Sequence, residues 1–287
     1  MIENKQFIGL LNDSVFKYMF KDERFQKFFR RVIMYATGID IEGYTLYDNE
    51  LNSGNKIKDY RLDILLRKGD NVISIEMNKD PRDSTLIKNH SYLFRLAGSN
   101  FKEGEVYKKK EVLQINFNNS LCSINRRAFT LTYDFRDIEY GSVIEGIKDY
   151  EVYLHKFKGI RYNGSNKDAM LISLFTAESY EELREIAGED EEASIIVDEL
   201  EKLKENDEFN ALYEEEVVRN KLINTARVEG LEEGIEKGVE KGKSEEKINI
   251  AKKLLNLNIS KEDIMKSTGL SLEEINHLLE TISTDKN

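Results

Sequence analysis

The stretch from Tyr60 to Asp80, "YRLDILLRKGDNVISIEMNKD", constrains the fold more than any other part of the chain. Two apolar runs flank Lys68-Gly69-Asp70-Asn71, a turn composition that joins neighbouring antiparallel strands. Each run carries one acid among residues that want a dry interior: Asp63 in "RLDILL" and Glu76 in "VISIEMN". A buried carboxylate is costly unless a cation or hydrogen bonds offset the loss of water. Alternate strand residues share a face, so Glu76 and Asn78 point the same way, about 7 Å apart, with Val72 and Ser74. Ile73, Ile75 and Met77 pack the other side. The short turn lets Asp63 and Glu76 lie side by side, which suits a hard divalent cation. Mg²⁺ accepts one or two carboxylates, keeps several waters and takes phosphate oxygens. The competing reading is an edge position, or pairing with a structural Arg or Lys, and the hairpin alone leaves both open.

Upstream, "NDSVFKYMFKDERFQKFFRRVIMYATGI" places apolar residues at 15, 16, 19, 20, 25, 28, 29, 32, 33 and 36. That is helical spacing, with Asn12, Asp13 or Ser14 as N-cap, a break near Asp22–Glu23 and Gly38 as the stop. After the hairpin, "RDSTLIKNHSYLFRLAGSNF" has helical periodicity, and "KKKEVLQINFNN", "RRAFTLTYD" and "YEVYLHKF" read as strands. The order helix, hairpin, helix, strand, strand, strand predicts an α/β domain with a mixed sheet over residues 1–165. "RYNGSNKD" reads as a linker. A helical acidic region follows over 166–228. The last part, 229–287, holds "EGLEEGIEKGVEKGKSEE", with glycine at 230, 234, 238 and 242, and two short helical patterns around Thr268-Gly269.

Composition narrows the class. Hydrophobic residues make up 40% of the 287, with 14 Phe and 14 Tyr, enough for a core. Cys122 is the single cysteine, which excludes a disulfide framework or a cysteine-based zinc site and fits a reducing compartment. The first residues lack the basic flank and apolar stretch of a signal peptide, and no apolar run approaches the ~18 residues of a membrane helix. A soluble cytoplasmic protein with no membrane partner is the expectation. Net charge is −11, but residues 1–110 carry an excess of four positive charges and the remainder an excess of fifteen negative ones. The N-terminal half can therefore tolerate a polyanion.

The series "NDSVFKYMF", "RLDILL", "ISIEMN", "FKEGEVYKK" and "VLQINF", followed by the glycine repeat and "AKKLLNLNISKEDIMKSTGLSLEEI", resembles the Rpn family. These are recombination-promoting nucleases, also described as PD-(D/E)XK nuclease family transposases. The likeness covers most of the chain, loosely over 125–220. It implies a restriction-endonuclease-like (PD-(D/E)XK) mixed-sheet core with a helical C-terminal region, and magnesium-dependent DNA cleavage. Mn²⁺ or Ca²⁺ are alternatives to Mg²⁺. On this resemblance Asp63 and Glu76 are the metal-ligating acids. The third position, two beyond the glutamate, is lysine in the wider superfamily and glutamine in this branch, whereas here it is Asn78. Asparagine keeps the amide but falls ~1.3–1.5 Å short, and a 1 Å misplacement can cost ~10²-fold. Lys79 lies on the opposite face of a regular strand. Asp13 and Lys17 match the "ND…FK" signature as residues behind the site or on its DNA side, with helix capping as the alternative.

Other features carry two readings each. Arg82, Lys88 and Arg95 along the predicted helix, and Lys108, Lys109 and Lys110, either contact phosphates or form a solvated face. The glycine stripe is either a marginal helix that orders on self-association into a homo-oligomer or a flexible charged spacer. The terminal segment has the spacing of a helix-turn-helix, with Ser260 and Ser271 as N-caps and Gly269 in the turn. Glu273, Glu274 and Glu280 on its second helix suit DNA poorly and favour a packing or oligomerisation hairpin. His90, His155 and His277 are too scattered for a zinc site or a triad, and no phosphate-binding glycine loop is present. The expected function is a DNA endonuclease tied to recombination or mobile elements. The alternative is a weak or inactive nuclease-fold protein that binds DNA or assembles.

Overall fold

The computed structural model describes residues 7–47, 50–51, 60–100, 104, 109–122 and 127–284. Tyr107, Lys108 and most of "FKEGEVY" lie outside them. The chain divides into two compact units, residues 1–213 and 214–287.

The first unit opens with α1 (Asp13–Lys21), capped by the Asn12 side chain, which accepts from the Val15 N–H at 3.0 Å. Its apolar face buries Val15, Phe16, Met19 and Phe20. The expected break follows: Asp22 accepts from the Arg24 N–H and starts a 3₁₀ turn over Glu23–Phe25. Helix α2 (Gln26–Thr37) ends on Gly38 at φ +74°, a left-handed stop that favours glycine.

The main sheet has six strands, β1 (Thr45–Leu46), β4 (Ile64–Lys68), β5 (Asn71–Asn78), β6 (Val112–Asn118), β7 (Thr130–Arg136) and β8 (Val143–Tyr153), in the order β1-β4-β5-β6-β8-β7. A separate pair joins β2 (Glu50–Leu51) to β3 (Tyr60–Arg61). β4 and β5 are antiparallel and form the expected hairpin, while β5–β6 and β6–β8 are parallel. The parallel pair β5–β6 needs a crossover, and α3 (Thr85–Ser99) supplies it. The sheet is mixed, as its sequence predicts. After β8 come α4 (Lys167–Ser173), α5 (Tyr180–Ala187), α6 (Glu191–Leu203) and α7 (Asp207–Asn256).

Register separates the two faces of the central strands. Ile73, Ile75, Leu113, Ile115, Phe117 and Val152 alternate on one face and are buried. Against it stand α2 and α4 with the turn that follows α4: Phe117 stacks on Phe175, centroids 5.9 Å apart, and Phe175 on Phe28 at 6.0 Å. The opposite face carries Ser74, Glu76, Asn78, Gln114, Asn116, Asn118, Asp149 and Glu151, all buried and all in register. Helix α3 covers this face through Asn89, while Leu93 and Leu96 pack with Leu65, Val72 and Val112.

In the second unit the last turns of α7 meet α8 (Lys261–Thr268) and α9 (Leu272–Thr284) around Ala251, Ile264, Leu270, Ile275 and Leu278. Ser260 caps α8, and Gly269 closes it at φ +70°. Ser271 and Glu274 form a reciprocal capping box at the start of α9. The glycine repeat lies within α7, which runs 50 residues without interruption. No described helix is long and apolar enough to cross a membrane.

The phenylalanine stack joins the sheet to the helices behind it, so Phe175→Ala should cost about 3–5 kcal/mol of stability. A urea unfolding midpoint close to wild type would show that the cavity collapses without loss.

Candidate active site

The β4–β5 ladder ends where its two acids begin. Asp63 stands opposite Glu76 by extension of the strand register. There the two side chains take over the backbone hydrogen bonds: the Met77 N–H donates to Asp63 Oδ2 at 2.9 Å, and the Asp63 N–H donates to Glu76 Oε1 at 3.2 Å. Each carboxylate thus has one oxygen anchored by main chain. The other oxygen of each faces a lysine. Lys17 Nζ is 2.9 Å from Asp63 Oδ1, and Lys88 Nζ is 3.8 Å from Glu76 Oε2.

The two lysines arrive from different helices. Lys17 lies on α1 and also donates to Asp13 Oδ2 at 2.8 Å, one turn back. Asn12 does the capping, so Asp13 is left to this ion pair rather than to the helix terminus. Lys88 lies in the first turns of α3, and its short contact is with Asn78 Oδ1 at 2.8 Å. Asn78 Nδ2 in turn donates to Asn118 Oδ1 on β6 at 3.0 Å.

Burial dominates the electrostatics. Glu76 is 3% exposed, and burial together with the adjacent Asp63 charge pushes its pKa up to about 8. Asp63 is also raised, by burial first and then by Asp13, against the pull of Lys17. Burial works against the Lys17 charge, but Asp63 and Asp13 together hold its pKa above the ordinary value. Two neighbouring carboxylates, Glu76 buried and Asp63 partly buried, are a donor set of hard oxygens whose ionised forms a divalent cation would stabilise. Asp63 and Glu76 therefore fit Mg²⁺ as ligands. Among the described residues no group of three His, Cys, Asp or Glu forms a metal set.

Beside this pair lies a polar layer that sequence reasoning missed. Asn116 Nδ2 donates to Asp149 Oδ1 at 2.6 Å and to Glu151 Oε1 at 3.0 Å, and Asn89 Nδ2 from α3 also reaches Glu151 Oε1 at 2.8 Å. Gln114 Nε2 donates to the Asn89 carbonyl at 3.0 Å. Burial and then the neighbouring Glu151 push Asp149 up to about 8, and burial lowers His90. His90 Nε2 stands 3.1 Å from Asp149 Oδ2 without hydrogen-bond alignment. The signal was the period-2 polarity of "LQINFN" and "DYEVY", which ordinarily reads as a solvent face.

The remaining candidates are spread out. Arg82 precedes α3 and lines a cleft of about 400 Å³ with Asn118, Glu151 and Tyr153. Arg95 is half-buried, seven residues beyond Lys88 on α3. Lys109 pairs with Glu145, and Lys110 is buried with Nζ donating to the Asn100 carbonyl at 2.7 Å. Lys110 is thus a structural cation rather than a phosphate contact.

The fold and site define a mixed α/β protein with a lysine-flanked carboxylate pair on a central hairpin and a separate three-helix module. Residues 244–280 match the model described as Rpn/YhgA-like nuclease family, C-terminal HTH domain. Over those residues the chain is similar to the C-terminal domain of that family, in line with the resemblance drawn from its sequence. No curated protein and no solved structure matches it. The match names the terminal module a helix-turn-helix, the reading that its acidic second helix argued against. Part of that acidity is structural, because Glu274 serves the capping box of α9.

The raised acids predict a pH effect on the metal-free protein. Between about pH 5 and 8 the folded state holds protons on Glu76 and Asp149 that the unfolded chain has released. Stability contributed by the neutral forms is therefore lost as pH rises toward 8. Glu76→Gln mimics the neutral acid, so its melting temperature should gain on wild type steadily from pH 5 to 8 and then level off. Parallel curves for the two proteins would contradict the raised value.

Proposed function

We propose that the chain is a Mg²⁺-dependent DNA endonuclease of the cytoplasm, acting in recombination or mobile-element transfer. The first unit, on this reading, is a restriction-endonuclease-like catalytic body and the helix-turn-helix module engages DNA. The observation that carries the reading is the carboxylate pair itself. Asp63, just ahead of β4, and Glu76 on β5 stand side by side, Glu76 buried and Asp63 partly buried, and each is fixed by a backbone N–H bond. The family match at the C-terminus supports the nuclease class.

Asp63 and Glu76 would hold the ion, which when bound supplies Lewis-acid chemistry for phosphodiester hydrolysis. The protein's own groups do the rest. The Met77 N–H and the Asp63 N–H fix one oxygen of each acid, so the pair needs no reorganisation when substrate arrives. Lys17 holds Asp63 against rotation and moderates the repulsion between the acids.

The second reading, a weak or inactive nuclease fold that binds DNA or assembles, is favoured by one observation. The amide of Asn78 is already engaged at both ends, by Asn118 and Lys88, and so cannot turn toward a water. Supercoiled plasmid incubated with Mg²⁺ or Mn²⁺ separates the two. The nuclease reading expects nicked or linear product from wild type and at least a ~10²-fold loss in Asp63→Ala and Glu76→Ala. Equal behaviour of all three proteins would leave the binding role.

Self-association through α7 belongs to the same proposal. Leu231, Ile235 and Val239 are exposed along one row, each following a glycine whose Cβ position meets open space. A second copy of this helix could approach closely along that row and cover it. Ile235→Glu should shift sedimentation from oligomer to monomer. A wild type that sediments as a monomer would refute the assembly.

A further inference from the structure

Charge on a phosphodiester rises as it is attacked, and a cation already spent on the carboxylates cannot answer it. The site holds two lysines that differ in this respect. Lys17 lies 2.8 Å from Asp13 and 2.9 Å from Asp63, so its charge is committed to two anions. Lys88 has a different environment. Its close contact, 2.8 Å, is with the neutral amide oxygen of Asn78, and the nearest carboxylate oxygen, of Glu76, is 3.8 Å away. Its side chain is 41% exposed, in contrast to the buried Glu76 it approaches.

The position of this ammonium is built rather than incidental. Lys88 sits in regular helix, its N–H donating to the Ser84 carbonyl at 2.9 Å. Its ammonium lies 5.3 Å from the centre of the Tyr92 ring, one turn on. Asn78 points its carbonyl oxygen at the ammonium because its other end is held by Asn118 Oδ1. Asn118 is held in turn, donating to Glu151 and to the Asn116 carbonyl. A line of amides thus runs from the buried acid of β8 to the rim of the carboxylate pair and ends on an accessible cation.

We infer that Lys88 is the catalytic cation of this site and Asn78 its positioning residue. This rests on the nuclease reading above and deepens it. In the reaction the water oxygen bonds to phosphorus and the bond to the leaving sugar oxygen breaks. The leaving oxygen takes the electron pair and a proton originating from the water. Lys88 takes no part in that proton's path and stabilises negative charge on a non-bridging phosphate oxygen. Asn78 is too short and carries no charge to serve that purpose, but holds the ammonium that does.

The test uses the full chain and four variants: Lys88→Met, Lys88→Arg, Asn78→Lys and Lys88→Met/Asn78→Lys. Single-turnover cleavage of a labelled duplex with Mg²⁺ at saturating protein should fall ~10²–10³-fold in Lys88→Met. Duplex affinity measured by anisotropy without metal should change less than about threefold, as for loss of one phosphate contact. The double variant, which returns an ammonium from the strand, should recover at least tenfold over Lys88→Met. A second readout needs no metal: amine labelling followed by mass spectrometry should find Lys88 reactive in the unbound protein and protected by duplex DNA.

Lys88→Met cutting as fast as wild type overturns the inference while leaving the nuclease reading intact. Lys88→Arg that melts normally and cuts well above Lys88→Met supports the charge role, whereas Lys88→Arg that melts normally and cuts as poorly as Asp63→Ala overturns it. Unchanged labelling of Lys88 on DNA binding assigns it instead to a structural role and overturns the inference. A wild type that leaves DNA uncut overturns the nuclease reading first, and this inference with it.

Discussion

Two carboxylates set side by side, Glu76 buried and Asp63 partly buried, are the constraint around which the first unit is arranged. Their mutual repulsion and lost hydration would unfold a hairpin that offered them nothing. The hairpin offers each a backbone N–H where the ladder would otherwise continue. The remaining oxygen of each acid faces a lysine, one from α1 and one from α3. α1 reaches Asp63 through Lys17, and α3 reaches the Glu76–Asn78 edge through Lys88. The amphipathic face of α1 places Val15, Phe16, Met19 and Phe20 in the core. Packing in the core thereby fixes where the ammonium of Lys17 stands, and a loss of packing would be felt at the acids.

The same logic extends across the sheet. One face of β5, β6 and β8 is apolar and stacks aromatic rings, while the other is a continuous layer of amides and acids under α3. A buried polar network costs stability wherever a member lacks a partner, and among the described residues Ser74 Oγ, Asn89 Oδ1 and Gln114 Oε1 have none. Here Asn89, Asn116 and Asn118 converge on Glu151, and Asp149 is driven toward its neutral form beside it. The Asn89 bonds to Glu151 and Gln114 tie α3 to the sheet beside the Leu93 and Leu96 packing. That attachment is what puts Lys88 beside Asn78.

Much of this was legible in the sequence, for identifiable reasons. Turn chemistry at Lys68–Asn71 and two apolar runs announce the hairpin, and period-2 alternation then places Glu76 and Asn78 on one face. Capping rules locate both ends of the α1–α2 region, with Asn12 chosen among three adjacent candidates because its side chain reaches the Val15 N–H. The polar layer was not legible. Alternating polarity in β6 and β8 is the signature of a solvated face, and only the crossover helix turns it into an interior. The continuity of α7 was also hidden. Four glycines lower helix propensity, each by about 1 kcal/mol relative to alanine. Flanking pairs such as Glu233–Lys237, one turn apart, work in the opposite direction.

Segment charge was the least reliable guide, and the reason bears on how DNA would meet this protein. The positive excess of residues 1–110 suggests a basic surface there, but several of those cations face acids from later in the chain. Arg24 holds Glu199, Arg31 holds Asp168 and Glu192, and Lys27 also pairs with Glu192. These pairs dock α2 and the turn before it against the helices that follow the sheet, so the charges are committed to the fold. Net charge summed over sequence cannot distinguish such a cation from one that awaits a phosphate. The distinction lies in partners: Arg31 answers two carboxylates, whereas the close neighbour of Lys88 is an uncharged amide. A DNA backbone approaching the carboxylate pair would therefore be drawn by Lys88 at the edge of the site, not by the basic half of the chain as a whole.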